Sequence, residues 1–188
     1  MNQTKDVELL EILKNETGIE IKEVIRIEDN SVFHELLKGV EDYTKSFTTV
    51  RYTRMAMNSI VGTGDENVLK IQNSISFHFP DSSMIRISPD ENDGIEITRV
   101  FVNPNHHRVG LGTKLMELIL HFMENTLGYI PTIQLECTGG IGFGQHQIQM
   151  PILDQMKFFV KFDFEMVQGS SHDGYVKMKR KSSNDLAV

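Results

Sequence analysis

The stretch that most constrains this chain is IEITRVFVNPNHHRVGLGTKLMELILHFME, residues 95–124. Its first part is rich in β-branched residues, and its last part repeats leucine and isoleucine at helical spacing. Between them lie two glycines, with no acidic residue from Asn103 to Lys114. A strand that passes through a glycine turn directly into a helix fixes a β-loop-α unit. The helix start exposes N–H groups that have no intrahelical partner, and the dipole adds partial positive charge there. Two readings fit the piece HHRVGLGTK: a tight turn with glycines where the backbone needs them, or a cradle for an anion, above all a phosphate.

The charge pattern favours the cradle. The chain carries a formal net charge of -7, yet this loop holds Arg108 and Lys114, with His106 and His107 able to add to them. The amides of Arg108, Val109, Gly110, Leu111, Gly112 and Thr113 can converge on one anion, and glycine lets a ligand approach the backbone closely. A diphosphate suits one short basic loop better than a nucleic-acid backbone does, because a nucleic-acid binder carries a basic face. The spacing is neither of the common nucleotide loops. Gly112 is followed by Thr113 and then Lys114, the reverse of the P-loop order, and the third glycine position of the dinucleotide fingerprint falls on Leu115.

The 188 residues suit one domain over residues 1–182, with a loose polar tail at 183–188. The single cysteine, Cys137, excludes a disulfide framework and a cysteine-based zinc site within one chain, and points to a reducing, cytoplasmic setting. The N-terminal stretch MNQTKDVELLEILKNETG has no apolar core of a secretory signal, and no apolar run reaches membrane-spanning length, so neither export nor a membrane is expected. His106, His107, His121 and His146 lack a metal-ligand spacing, and no metal is expected. An acidic chain is compatible with an amine substrate.

Along the chain, a helix is expected near residues 6–15, then a strand in IEIKEVIRIED and a helix in SVFHELLKGVEDYTK with Ser31 as N-cap. Strand candidates follow in FTTVRYTRMAM, VLKIQNSISFHF and SSMIRIS, separated by turn-forming stretches. After the glycine loop and its helix come a strand, TIQLEC, a helix, PILDQMKFFVKF, and a closing hairpin of FEMV and GYVKMKR. Between TIQLEC and PILDQMKFFVKF runs a second glycine cluster with Phe143, Gln145, His146 and Gln147, readable as a lid or as a plain flexible insertion. The order predicts an α/β (α+β) fold, one sheet covered by helices on both faces.

The central stretch resembles the hallmark motif of the GNAT superfamily of acyl-CoA-dependent N-acetyltransferases. Val102-Asn103-Pro104 matches the family's strand ending, and His107-x-x-Gly110-x-Gly112 matches its Gln/Arg-x-x-Gly-x-Gly/Ala loop, with His107 at the Gln/Arg position. Glu96, Val100, Phe101 and Val102 align with the family's Glu-Leu-x-x-Leu-Tyr-Val strand. MKFFVKFDFEMV is similar to the family's Phe-Tyr-x-Lys-x-Gly-Phe ending, with Phe159 in place of the usual Tyr and Asp163 in place of Gly. The resemblance spans about residues 94–180. It implies a mixed, mostly antiparallel sheet whose central strand pair splays apart, acetyl-CoA as co-substrate and no metal.

By the same resemblance the pyrophosphate rests on His107, Arg108, Val109, Gly110, Leu111, Gly112 and Thr113, and the pantetheine arm runs along Val100, Phe101 and Val102, with Phe159 near the cofactor. The implied reaction is direct transfer of an acetyl group to a primary amine of a small molecule or peptide; a homodimer is compatible with it. Such transfer needs a proton acceptor, a polarised thioester oxygen and protonation of the departing thiolate. Glu96 is the candidate base, its carboxyl pKa raised toward about 6–7 in a partly dry cleft; the alternative is a salt-bridged strand residue. Phe159 has no proton to give, so Tyr175, Cys137 or water is left to protonate the thiolate. Cys137 is otherwise readable as a nucleophile or as a small core residue. A second reading of the whole is an acyl-CoA-binding module with a sensing or scaffolding role.

Overall fold

Alternating apolar residues and turn-forming breaks produce the eight strands of the computed structural model, which describes all residues except 1–9, 13, 16–17, 19–20, 62–66, 107–108, 139–149, 173 and 187–188. The elements run β1 (Ile21–Ile27), α1 (Ser31–Lys45), β2 (Arg51–Val61), β3 (Asn67–His78), β4 (Met84–Pro89), β5 (Ile95–Phe101), α2 (Leu111–Leu127), β6 (Ile133–Thr138), α3 (Ile152–Val160), β7 (Glu165–Ser170) and β8 (Tyr175–Arg180). The expected first helix lies largely outside the described residues; Gly18, at φ 70°, donates its N–H to the Lys14 carbonyl as a helix C-terminus does.

The strands form one sheet in the order β1-β3-β4-β5-β6-β8-β7, with β2 paired to β3. Five of the seven pairings are antiparallel; β1 with β3 and β5 with β6 are parallel. β3 is long enough to serve three neighbours. β2 runs along its whole length from Val68 to His78, while β1 pairs over residues 67–72 and β4 over residues 75–78. The mixed, mostly antiparallel sheet expected from the sequence is therefore present.

One face of this sheet is apolar. Ile75 pairs with Ile87, Ile87 with Ile97, Ile97 with Leu135 and Leu135 with Met178, and all five are buried. α1 buries Phe33, Leu36, Val40 and Tyr43, spaced so that they share one helical stripe. α2 buries Leu115, Met116, Ile119, Phe122 and Met123, and Phe122 meets both Phe77 of β3, at 5.1 Å between ring centroids, and Tyr43 of α1, at 5.0 Å. Each such fully buried side chain contributes roughly 1.5–3 kcal/mol.

Two local expectations change. The N-cap of α1 is Asn30 rather than Ser31: Asn30 Oδ1 accepts the Phe33 N–H at 2.8 Å, and its Nδ2 donates to the carbonyls of Asp90 and Gly94. Asn30 can cap and cross-link at once, whereas Ser31 turns outward to the Asp93 carboxylate. The tail is also not loose from residue 183. Ser183–Leu186 forms a 3-10 turn, because the Ser183 N–H donates to the Ile130 carbonyl while its hydroxyl accepts the Ile130 N–H.

Candidate acyl-CoA site

β5 carries the sequence up to the glycine loop, and its pairing explains why a slot opens beside it. It pairs with β6 only from Ile95 to Ile97, opposite Ile133 to Leu135. Both strands then continue, β5 to Phe101 and β6 to Thr138, without a shared ladder. On its other edge β5 stays paired with β4 through Phe101. A bulge accompanies the parting: Ile87 lies opposite Ile97, but Arg86 lies opposite Arg99, leaving Thr98 as the extra residue. Among the described residues, no strand pairs with β5 on its β6 side beyond Ile97, and an extended ligand can add at such a strand edge.

The loop ends in Gly110, at φ 81° and ψ 6°, a left-handed conformation that favours glycine. Gly110 is the N-cap of α2 and brings no capping side chain; the first turn contains no acidic residue. The first-turn amides are left as donors for an anion. Gly112 sits in that turn. A Cβ there would lie 3.4 Å from Phe158 Cζ and 3.6 Å from Val102 Cγ2. Gly112 thus sits between the end of β5 and α3, where a Cβ would be in ordinary contact with both. Val109 and Gly110 are exposed, and Leu111, Gly112 and Thr113 are half-buried. His107 and Arg108 lie outside the described residues, as does the glycine-rich stretch with Phe143, Gln145, His146 and Gln147.

The loop is fastened to a neighbouring turn. Asp81 accepts from the Ser83 N–H at 3.0 Å and the Ser83 hydroxyl at 2.8 Å, and its Oδ2 lies 2.7 Å from His106 Nδ1. Asn103 donates its side-chain N–H to the Asp81 carbonyl and its backbone N–H to the Ser83 hydroxyl. Burial pushes the Asp81 carboxyl pKa up, but the hydrogen bonds from His106 and Ser83 outweigh it and hold the group below its ordinary value. The β3–β4 turn thereby sets where β5 exits toward the glycine loop. The local signal for this network in the sequence is Asp81-Ser82-Ser83, a side-chain-to-backbone turn; its ties to Asn103 and His106 are long-range.

Glu96 lies on the sheet face opposite the core. Its Oε2 receives the Lys70 ammonium at 3.0 Å, with the two side chains 27% and 20% exposed. The carboxylate is thus paired with a cation rather than isolated in a dry cleft. Nothing in the sequence pattern singles out Lys70, 26 residues away on β3.

The remaining expected residues separate. Val100, Phe101 and Val102 are half-buried along the slot edge. Phe159 is 8% exposed and meets Phe158 and Phe164 edge-on in the core, so the ring beside Gly112 is that of Phe158. Cys137 is fully buried with its thiol toward Met178 Sδ, and burial with the nearby Glu136 pushes its pKa up to about 11. A protonated, enclosed thiol is a core residue, not a nucleophile. His121 Nδ1 lies 2.9 Å from the Tyr43 hydroxyl, away from β5. Among the described residues no cluster of side chains is arranged to hold a metal ion, and no helix is long and apolar enough to cross a membrane.

A family model described as "Acetyltransferase (GNAT) family" matches residues 32–140, more than half of the chain. No curated protein sequence matches it. Among solved structures it is similar to a nourseothricin acetyltransferase, with 16% identity over 71% of this chain and 98% of that one, at a TM-score of 0.40. It is also similar to the PaiA N-acetyltransferase of Thermoplasma acidophilum in complex with coenzyme A, with 12% identity over 80% and 69% of the two chains and a TM-score of 0.41. The ribosomal-protein-S18-alanine N-acetyltransferase of Escherichia coli matches at 10% identity over 69% and 93%, with a TM-score of 0.40.

Proposed function

The chain belongs to the acetyltransferase (GNAT) family, and on that premise we propose that it transfers an acetyl group from acetyl-CoA directly to a primary amine. The observation that carries the reading is the coincidence of two features at the end of β5. The strand loses its β6 partner after Ile97, and it then runs into a helix start with no capping side chain and no acidic residue in its first turn.

The residues suit acetyl-CoA. In this reading the amides of Val109, Gly110, Leu111, Gly112 and Thr113 bind the pyrophosphate, with His107 and Arg108 contributing from the residues just before them in sequence, and the segment of Val100, Phe101 and Val102 beyond the β6 pairing carries the pantetheine arm. Phe159 belongs to the core that supports this wall. Bound acetyl-CoA supplies a thioester whose carbonyl carbon accepts the amine. Glu96, directly or through a water, takes one proton from the incoming ammonium. The free amine then forms the C–N bond, the C–S bond breaks, and the second amine proton leaves as the thiolate is protonated. With Phe159 lacking a phenol, solvent water is the proton donor to that thiolate, a leaving group that tolerates incomplete protonation.

The test is release of the CoA thiol across a panel of small primary amines and amine-bearing peptides, beside calorimetric binding of acetyl-CoA. Thiol release that depends on the amine supports the reading. Acetyl-CoA binding without thiol release for any amine would instead favour an acyl-CoA-binding module.

A further inference from the structure

The sheet face opposite the core carries Glu96, and on it lie buried polar atoms that no described residue satisfies. Strand alternation places Lys70, Gln72, Ser74 and Ser76 of β3 on this face, because Ile75 and Phe77 point into the core. Ser88 of β4 and Glu96 of β5 share it and are direct cross-strand partners. Ser74 and Ser76 are buried and satisfied: the Ser74 hydroxyl donates to the Met55 carbonyl, and the Ser76 hydroxyl accepts from Arg86 Nε. Gln72 and Ser88 are buried as well, at 3% and 0% exposure, yet among the described residues Gln72 Oε1 and the Ser88 hydroxyl have no hydrogen-bond partner, and neither does the hydroxyl of Thr98, the bulge residue of β5. Buried polar atoms in folded proteins are nearly all paired, so Gln72 and Ser88, orphaned on the sheet face that carries Glu96, require a reason.

The Lys70 side chain supplies the clue to what belongs there. It reaches from β3 toward β5 to put its ammonium on Glu96 Oε2. Its stem starts two residues from Gln72 on the same face, and Ser88 stands opposite its carboxylate partner. The patch therefore already accommodates a primary ammonium at Glu96, one held by its own chain.

We propose that Gln72 Oε1, the Ser88 hydroxyl and the Glu96 carboxylate form the subsite for the acceptor's primary ammonium, and that Lys70 is the resident occupant which the acceptor displaces. This deepens the reading of Glu96 as the acetyl-transfer base and rests on it. A primary ammonium has three N–H donors, and the patch offers three acceptors for them. Displacement of Lys70 leaves Glu96 ion-paired throughout and gives the two orphans their partners. A secondary amine has one donor fewer and an added methyl group in a buried site, so the subsite selects primary amines. Lys70 and Gln72 are specificity and positioning residues; neither exchanges a proton in the reaction.

The experiment uses the full chain saturated with CoA, with butylamine and N-methylbutylamine as probes and ligand-observed NMR as the readout. Lys70→Met removes the competitor and should tighten butylamine binding about tenfold, whereas Gln72→Met removes an acceptor and should weaken it about tenfold, on the scale of one hydrogen bond to a charged group. Gln72→Glu, which keeps an acceptor at the same place, should retain or tighten it and serves if Gln72→Met does not fold. N-Methylbutylamine should bind more weakly than butylamine to the wild type. The inference is overturned if Lys70→Met weakens or does not change butylamine binding, if loss of the Gln72 oxygen has no effect, or if butylamine does not bind. Acetyl-CoA affinity, measured separately, separates the failures. A chain that binds no acetyl-CoA contradicts the transfer reading, while one that binds it but treats the amines without regard to Lys70 and Gln72 contradicts this subsite alone.

Discussion

The ammonium of Lys70 and the carboxylate of Glu96 meet at 3.0 Å across the polar face of the sheet, one from β3 and one from β5, with both side chains largely shielded from water. This pair links the strand that parts at the slot to the strand that organises the other half of the sheet. In the proposed subsite, this is the pair that an incoming ammonium exchanges for its own contact with Glu96.

If Glu96 removes the amine proton, Glu96→Gln keeps the shape and should keep acetyl-CoA affinity. Turnover should fall by about 10²–10⁴-fold, the usual worth of a positioned base. Steady-state rates beside calorimetric acetyl-CoA binding check this, and an unchanged turnover rate removes Glu96 from the mechanism.

The two loop glycines should fail differently. Gly110→Ala forces a side chain into φ 81°, where there is open space but a strained backbone, so thermal unfolding should register a loss of about 1 kcal/mol. Gly112→Asp places a carboxylate at the helix start beside Phe158 and Val102, and acetyl-CoA binding by calorimetry should be lost. Binding equal to wild type for Gly112→Asp contradicts the cradle.

Asp81 should make stability pH-dependent in a defined direction. Its folded pKa is held below the ordinary 3.8, so the ionised form is favoured in the native state. Its contribution is then fully present above 3.8 and is lost as pH falls through the lower folded value. Asp81→Asn should flatten the acid limb of the melting temperature against pH. It should also raise the KM for acetyl-CoA more than it lowers kcat, because the tie to His106 and Asn103 positions the loop. An acid limb identical to wild type would mean that Asp81 is not the group responsible.

Asp163 occupies φ 64°, the conformation that glycine takes without cost, at the position where the family motif has glycine. Its contact with Arg180 is 3.8 Å long and its side chain is 77% exposed, so that ion pair offers little. Asp163→Gly should stabilise the fold by about 0.5 kcal/mol once the added freedom of the unfolded chain is subtracted. Thermal melting checks it, and a loss of stability would show that the Arg180 contact matters more than the backbone strain.

What the sequence determined by itself is local. The β-branched residues Ile95, Ile97 and Val100, the glycine spacing and the leucine stripe of α2 fix a strand, a turn and a helix start, because each depends on neighbours within a few residues. The order of elements and the closing hairpin follow from the same short-range signals. The resemblance to the family extended this to a parted strand pair, which the pairing of β5 and β6 bears out. Tertiary structure decided the rest. Which of two adjacent rings faces Gly112, Phe158 or Phe159, depends on how α3 rolls against β6 and β8. That β1 and β4 divide one edge of β3 depends on registers between distant segments. The Lys70–Glu96 pair and the orphaned Gln72 and Ser88 arise only because β3, β4 and β5 lie side by side, and a shift of one residue in any ladder would send those side chains to the other face.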